Sequence, residues 1–65
     1  MSPDQLQLAA ALIKISKVRP DYAEILELRI FGRKKFAEIG NILGISVYEA
    51  QHRFELALGL YRMYF

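Results

Sequence analysis

The sequence has no cysteine and a single histidine, His52, among its 65 residues. Without thiols the chain can hold neither a disulfide nor a thiolate metal site, and one imidazole is too few for a zinc or catalytic cluster. Paired carboxylates, a nucleophile spaced from a base and a phosphate-binding glycine loop are also missing from the sequence. We therefore predict that the protein is not an enzyme, needs no cofactor or metal, and takes no small-molecule substrate.

Long hydrophobic runs are also missing. The longest, LAAALI at residues 8–13, is far shorter than the roughly 20 residues that a membrane-spanning helix needs. The N-terminus lacks the charged start and the cleavage site of a signal peptide. These absences predict a cytoplasmic protein with no membrane partner.

The hydrophobic content is nevertheless high enough to form a core. Hydrophobic residues make up 54% of the chain, which has four Tyr and four Phe. A domain this small buries only about 60% of its unfolded surface, so this content indicates a dense helical core, a partner that covers apolar surface, or both. The net charge of +2 and the pI near 9.2 permit nucleic-acid binding without requiring it.

Helix signals divide the first half of the chain into two segments. Ser2 and Gln5 have the spacing of a capping box, and apolar residues follow at helical spacing. Pro20 ends this first helix and can begin a second one, and Gly32 is a plausible stop for the second. No strand pattern appears.

Two glycines organise the second half. Residues 36–43 are typical of a short helix, Gly44 occupies the position of a left-handed cap, and Ser46 with Glu49 forms a capping box for a last helix. Gly40 stands where two helix backbones would approach closely. This pattern predicts an all-α protein of one domain, residues 1–65. We expect a four- or five-helix bundle containing a helix-turn-helix at about residues 35–58. Spacing alone fits a simple helical hairpin equally well.

Two stretches resemble a known family. VRPDYAEILELRIF resembles a Leu-Pro followed by a helix that ends in Leu-x-Leu-Arg-Tyr-Phe. FAEIGNILGISV resembles the motif Tyr-x-Glu-Ile-Ala-x-Ile-Leu-Gly-Ile-Ser-Val. Both motifs belong to region four of bacterial RNA polymerase sigma factors, which residues 18–53 resemble without a gap. The resemblance implies a transcription factor of a bacterial or phage-infected cell. Its last helix would bind a −35-like promoter element in double-stranded DNA, and its first helices the β-flap of RNA polymerase.

The departures from the family leave a second hypothesis open. Arg19 stands where the family usually has its proline, and the turn RKK replaces Gly-Leu-Ser or Gly-Leu-Thr. The charged residues of the last helix sum to zero, whereas a DNA-reading helix is usually more basic: Glu49, Arg53, Glu55 and Arg62. The alternative is a sigma-like interaction module that does not read DNA. Its partner would be a second copy, the polymerase flap or an anti-sigma protein.

In the DNA-binding hypothesis, the base contacts come from three polar residues at the start of the last helix: Tyr48, Gln51 and His52. An amide can pair in bidentate fashion with adenine, so Gln51 is chemically the best base reader. The phosphate contacts come from four cations: Arg33, Lys34, Lys35 and Arg53. The first three precede a helix N-terminus, which favours anions. The alternative is that these seven are ordinary surface residues.

In the protein-binding hypothesis, the first helix has apolar residues on two sides, and only one side can face a small core. Leu6 and Ile13 share one side, and Leu8, Leu12 and Ile15 share the other. We predict a protein interface from the second set and the C-terminal aromatic residues: Leu8, Leu12, Ile15, Tyr61, Tyr64 and Phe65. The alternative is core filling plus a frayed tail.

Overall fold

The computed structural model describes the backbone of residues 3–64 and the side chains of residues 6–64. This part of the chain contains four α-helices and no strand: α1 Pro3–Val18, α2 Pro20–Leu26, α3 Phe36–Leu43 and α4 Val47–Tyr64. A π-helical turn, Glu27–Phe31, extends α2. The all-α prediction is therefore confirmed. None of the described helices has the length and apolar character to cross a membrane. The predicted cap at Ser2 and Gln5 lies outside the described residues.

The break between α1 and α2 falls where Pro20 predicts it. Arg19 leaves helical geometry at φ −139°, and Pro20 begins α2, where its missing N–H costs nothing. The Arg19 guanidinium donates to both carboxylate oxygens of Asp21, at 3.2 and 3.0 Å, and lies 3.9 Å from the ring centroid of Tyr22. The hydrogen bond from Arg19 lowers the pKa of Asp21. These contacts stabilise the bend at an exposed site.

The core lies between the four helices, with α2 packed against both α1 and α4. Its largest fully buried side chains are Ile15, Ile25, Leu26 and Ile39. Full burial of each such aliphatic side chain contributes about 1.5–3 kcal/mol. On the α4 side the fully buried positions are alanines, Ala50 and Ala57, which let the other helices approach the α4 backbone closely.

The side of α1 that faces the core is the one we predicted as a protein interface. Leu12 is 7% exposed and Ile15 is fully buried, and half-buried Leu8 packs against the same core. The assignment of Ile15 to a partner is therefore wrong, because a small core needs this side of α1, and Leu12 keeps only a narrow exposed edge. Leu6 and Ile13, on the other side of α1, face solvent at 57% and 59% exposure.

The C-terminal aromatic residues differ from one another. Tyr61 is partly buried and packs against the core, so it fills the interior as the alternative interpretation expects. Tyr64 is at the boundary of exposure, and Met63 beside it is almost fully in solvent. Phe65 lies outside the described residues. The exposed apolar surface at this end of α4 therefore centres on Met63 and Tyr64.

A three-residue turn, 44–46, joins α3 to α4. Gly44 has φ 70° and ψ 34°, in the left-handed region that residues with a Cβ rarely adopt. The amide of Ile45 donates to the carbonyl oxygen of Gly40 at 2.9 Å, so this carbonyl group at the C-terminal end of α3 has a hydrogen-bond partner. The hydroxyl of Ser46 accepts from the amide of Glu49 at 3.0 Å. The predicted caps at Gly44 and Ser46 are both present.

Gly40 lies directly against the backbone of the turn. A Cβ at this position would lie 2.6 Å from the carbonyl oxygen of Ile45 and 3.5 Å from the carbonyl carbon of Ser46. The close approach predicted at Gly40 is therefore present, but it is made to the turn backbone ahead of α4 rather than to the body of α4. Because both partners are backbone, no side-chain movement can relieve the overlap.

We expect Gly40→Ala to lower the free energy of unfolding by about 1–3 kcal/mol, the usual cost of overpacking. Gly59→Ala is the matched control, because a Cβ at Gly59 would meet no atom within 4 Å. It should raise the free energy of unfolding by about 0.5–1 kcal/mol through helix propensity. Chemical denaturation of dilute protein measures both. An unchanged midpoint for Gly40→Ala would show that the turn adapts and that the contact constrains nothing.

Candidate nucleic-acid interface

Three cations form the turn between the π-helical segment and α3, and we call Arg33, Lys34 and Lys35 the basic turn. Arg33 has φ 52°, an uncommon conformation for a residue with a side chain. The amide of Lys34 donates to the carbonyl oxygen of Leu28 at 3.1 Å. Arg33 and Lys35 are exposed and Lys34 is half-buried. The basic turn is therefore held by backbone contacts while the side chains of Arg33 and Lys35 are exposed to solvent.

Arg29 connects the basic turn to the helices. Its guanidinium donates to the carbonyl oxygen of Lys34 at 2.9 Å and lies 4.3 Å from the ring centroid of Phe36. Phe36 in turn packs edge-on against Phe54, with ring centroids 5.6 Å apart. This chain of contacts fixes the basic turn relative to α3 and α4. This role of Arg29 is not among the sequence predictions, although its cation at an inward-facing helical spacing was a usable signal.

The first turn of α3 carries its own anion. The carboxylate of Glu38 accepts from the amide of Lys35 at 3.3 Å, as the third residue of a helix does in a capping box. This carboxylate lies next to the basic turn and offsets part of its positive field. An approaching phosphate is therefore attracted by the side chains of the turn more than by the α3 N-terminus.

The three predicted base-contact residues all face solvent at the start of α4. Tyr48 is 74% exposed, and its ring lies parallel to that of His52 within 3°, with centroids 6.3 Å apart. This pairing follows from their spacing, because residues four apart share a helix face. Gln51 is exposed beside them. The arrangement offers a phenol, an imidazole and an amide on one accessible surface.

Gln51 lies on the flank of α4 that faces the Arg29 contacts. It borders an open concavity of about 410 Å³ between α4, α3 and the π-helical turn, lined by Arg29, Phe36, Gln51, Phe54, Glu55 and Leu58. Arg53, two residues after Gln51, is half-buried, and about 160° around the helix axis separates the two side chains. The structure therefore brings Gln51 to the side of the basic turn and places Arg53 on the opposite flank.

A helix in the major groove lies between two phosphate backbones. The exposed face of α4 has this pattern, with Tyr48 and His52 in the middle, the basic turn beyond one flank and Arg53 on the other. Glu49 and Glu55 are exposed on the same helix and repel phosphate. The attraction of this surface for an anion therefore comes from the basic turn more than from α4 itself.

Comparison with known proteins yields no family model, no curated protein and no solved structure that matches this chain. The resemblance to sigma region four therefore stays a prediction, supported by the motifs quoted above.

We expect Arg29→Met to lower the free energy of unfolding by about 1 kcal/mol, since it keeps the apolar stem near Phe36 and removes one hydrogen bond. The amide of Lys34 should also exchange faster with solvent. Arg33→Met removes the same charge from an exposed side chain and is the control. Equal stability and equal exchange in the two variants would contradict the anchoring role of Arg29.

Proposed function

We propose that the protein is a DNA-binding module of transcription that acts like region four of a sigma factor. The start of α4 enters the major groove of a −35-like promoter element, with Gln51, Tyr48 and His52 towards the bases. The observation that supports this most strongly is the exposed polar face of α4 with cations on both flanks. The turn at Gly40 and Gly44 supplies the geometry that a helix-turn-helix needs.

The two kinds of contact have different tasks. Phosphate contacts from the basic turn and Arg53 position the domain and make binding sensitive to salt, because each neutralised phosphate releases counterions. Base contacts supply the selectivity, and a bidentate amide–adenine pair at Gln51 is worth about 1–3 kcal/mol of discrimination. The net charge is only +2, so the protein binds DNA weakly by itself and benefits from a second contact in a transcription complex.

Replacement of Lys34 and Lys35 by Ala should weaken binding to every duplex and reduce the slope of log K against log salt by about 1.8, or 0.9 for each lost phosphate contact. Fluorescence anisotropy with a promoter duplex and an unrelated duplex, at several salt concentrations, measures this. The matched control is Lys14→Ala with Lys17→Ala, which removes two exposed cations from α1 and should leave the slope unchanged.

Equal slopes for the two double variants would contradict the role of the basic turn. Absence of salt-sensitive binding by the unmodified protein, even at low salt, would contradict DNA binding itself.

A second candidate function is supported by a groove between α1, α2 and the π-helical turn. It has a volume of about 260 Å³ and is lined by Ala9, Leu12, Ile13, Ser16, Ala23, Glu27 and Phe31. Ile13 and Phe31 are more than 45% exposed beside it. An apolar groove between helices suits an amphipathic helix. We propose that this groove holds the flap of RNA polymerase while α4 holds DNA.

Phe31→Ser should weaken binding to a purified polymerase β-flap about tenfold or more, as expected for loss of an aromatic anchor. Ile42→Ser is the control, because Ile42 is an apolar residue of similar exposure, at 54% against 46% for Phe31, and lies on α3, away from the groove. Titration calorimetry measures both. Flap binding that is absent, or that both variants weaken equally, would contradict this assignment of the groove.

A further inference from the structure

Gly59 has no explanation within a single chain. It lies inside α4, where a glycine costs about 1 kcal/mol relative to alanine. At Gly40 a close backbone contact explains the glycine, and at Gly44 the left-handed backbone conformation explains it. At Gly59 a Cβ would meet no atom within 4 Å, so alanine would fit this helix better. A glycine on an open helix surface is favourable when the backbone of a second helix packs closely against it.

The surface around Gly59 is apolar and open. Leu56, three residues earlier, is 46% exposed, and Met63, four residues later, is 79% exposed. Residues at these spacings lie on one face of a helix. The C-terminal half of α4 therefore presents two large apolar side chains to solvent with a notch between them. A second helix can cross at the notch and pack against both.

The charges beside this face identify the partner. Glu55 and Arg62 lie four residues before and three residues after Gly59, on the same flank of the face, and both are exposed. They are about 10 Å apart along the helix axis, too far to pair with each other. Within the described part of the chain, the only ion pair joins Arg19 and Asp21, so Glu55 and Arg62 both remain unpaired.

A second copy of α4 meets these charges when it runs antiparallel. When a two-fold axis passes beside Gly59, a residue that precedes Gly59 in one copy lies opposite a residue that follows Gly59 at a similar distance in the other copy. Glu55 then lies opposite Arg62 of the second copy, and the symmetric pair forms as well. The same operation sets Leu56 against Met63 of the second copy. A surface that complements itself under a two-fold axis is what an isologous interface requires.

We propose that the protein forms a symmetric homodimer through the C-terminal half of α4, with antiparallel helices that cross at Gly59. The contact consists of Leu56 and Met63 around the glycine, bordered by two Glu55–Arg62 pairs. Tyr48 and His52 precede the crossing by eleven and seven residues and lie outside it, so the start of each α4 stays accessible. The dimer does not depend on the proposed DNA binding.

Sedimentation equilibrium over about a hundredfold range of protein concentration tests the dimer. The mass should rise from that of one chain, 7.5 kDa, towards twice that value. Gly59→Ala should weaken the dimer about tenfold and raise the melting temperature of dilute monomer, because the added methyl separates the two helices but fits a single one. Opposite effects on association and on monomer stability distinguish an interface role from a folding role.

A charge exchange tests the register. Glu55→Arg and Arg62→Glu should each weaken the dimer, because each places like charges opposite one another twice. The double variant should restore it, since the pairs re-form with reversed polarity. Glu24→Arg and Lys17→Glu make the same charge changes at exposed positions outside α4 and should leave the dimer intact.

Three results would overturn the proposal. The first is a mass of one chain at every concentration. The second is a dimer that Gly59→Ala does not weaken. The third is a dimer that the double charge exchange does not restore. A dimer lost in Ile13→Asp and kept in Gly59→Ala would place the contact on α1 instead.

Discussion

The rest of the structure depends on the contact between Gly40 and the carbonyl group of Ile45. This contact holds the end of α3 against the backbone of the turn and sets the direction in which α4 leaves. The basic turn precedes α3, and the candidate base-contact residues begin α4, so their relative position depends on this contact. The Phe36–Phe54 ring contact and the Arg29 guanidinium then support the same geometry from the other end of α3.

Much of the fold could be predicted because the signals are local. Pro20 cannot continue α1, Gly44 adopts a backbone conformation that other residues avoid, and Ser46 caps the helix that follows it. Each of these depends on one residue and its nearest neighbours, so the helix boundaries in the second half agree with the prediction. The exposure of Tyr48 and Gln51 was likewise readable from helical periodicity.

The features that sequence reasoning missed depend on contacts between elements. Both sides of α1 are apolar, and only packing decides that Leu12 and Ile15 enter the core while Ile13 faces solvent. The π-helical turn has no distinct sequence signal. The hydrogen bond from Arg29 to the Lys34 carbonyl joins two segments through a sharp change of chain direction, which periodicity cannot show.

The charge of α4 stays balanced when the helix is divided at its middle, because Glu49 and Arg53 sum to zero in the first half and Glu55 and Arg62 sum to zero in the second. A sum over the whole helix includes Glu55 and Arg62, which we assign to contact between two copies. The surface proposed for DNA lies at the start of α4, where polar and aromatic groups face solvent and the cations come from Arg53 and the basic turn. One helix thus has two separate surfaces, and because the first is neutral by itself, a positive field at its first turns depends on the basic turn.

The central claim is that the start of α4 and the basic turn form one DNA-binding surface. Titration of isotopically labelled protein with a promoter duplex, followed through backbone amide chemical shifts, tests it most directly. We predict shifts at Lys34, Lys35, Tyr48, Gln51 and His52, and unchanged resonances along the exposed side of α1. Shifts confined to α1 and the C-terminal half of α4, or no shifts at low salt, would contradict the claim.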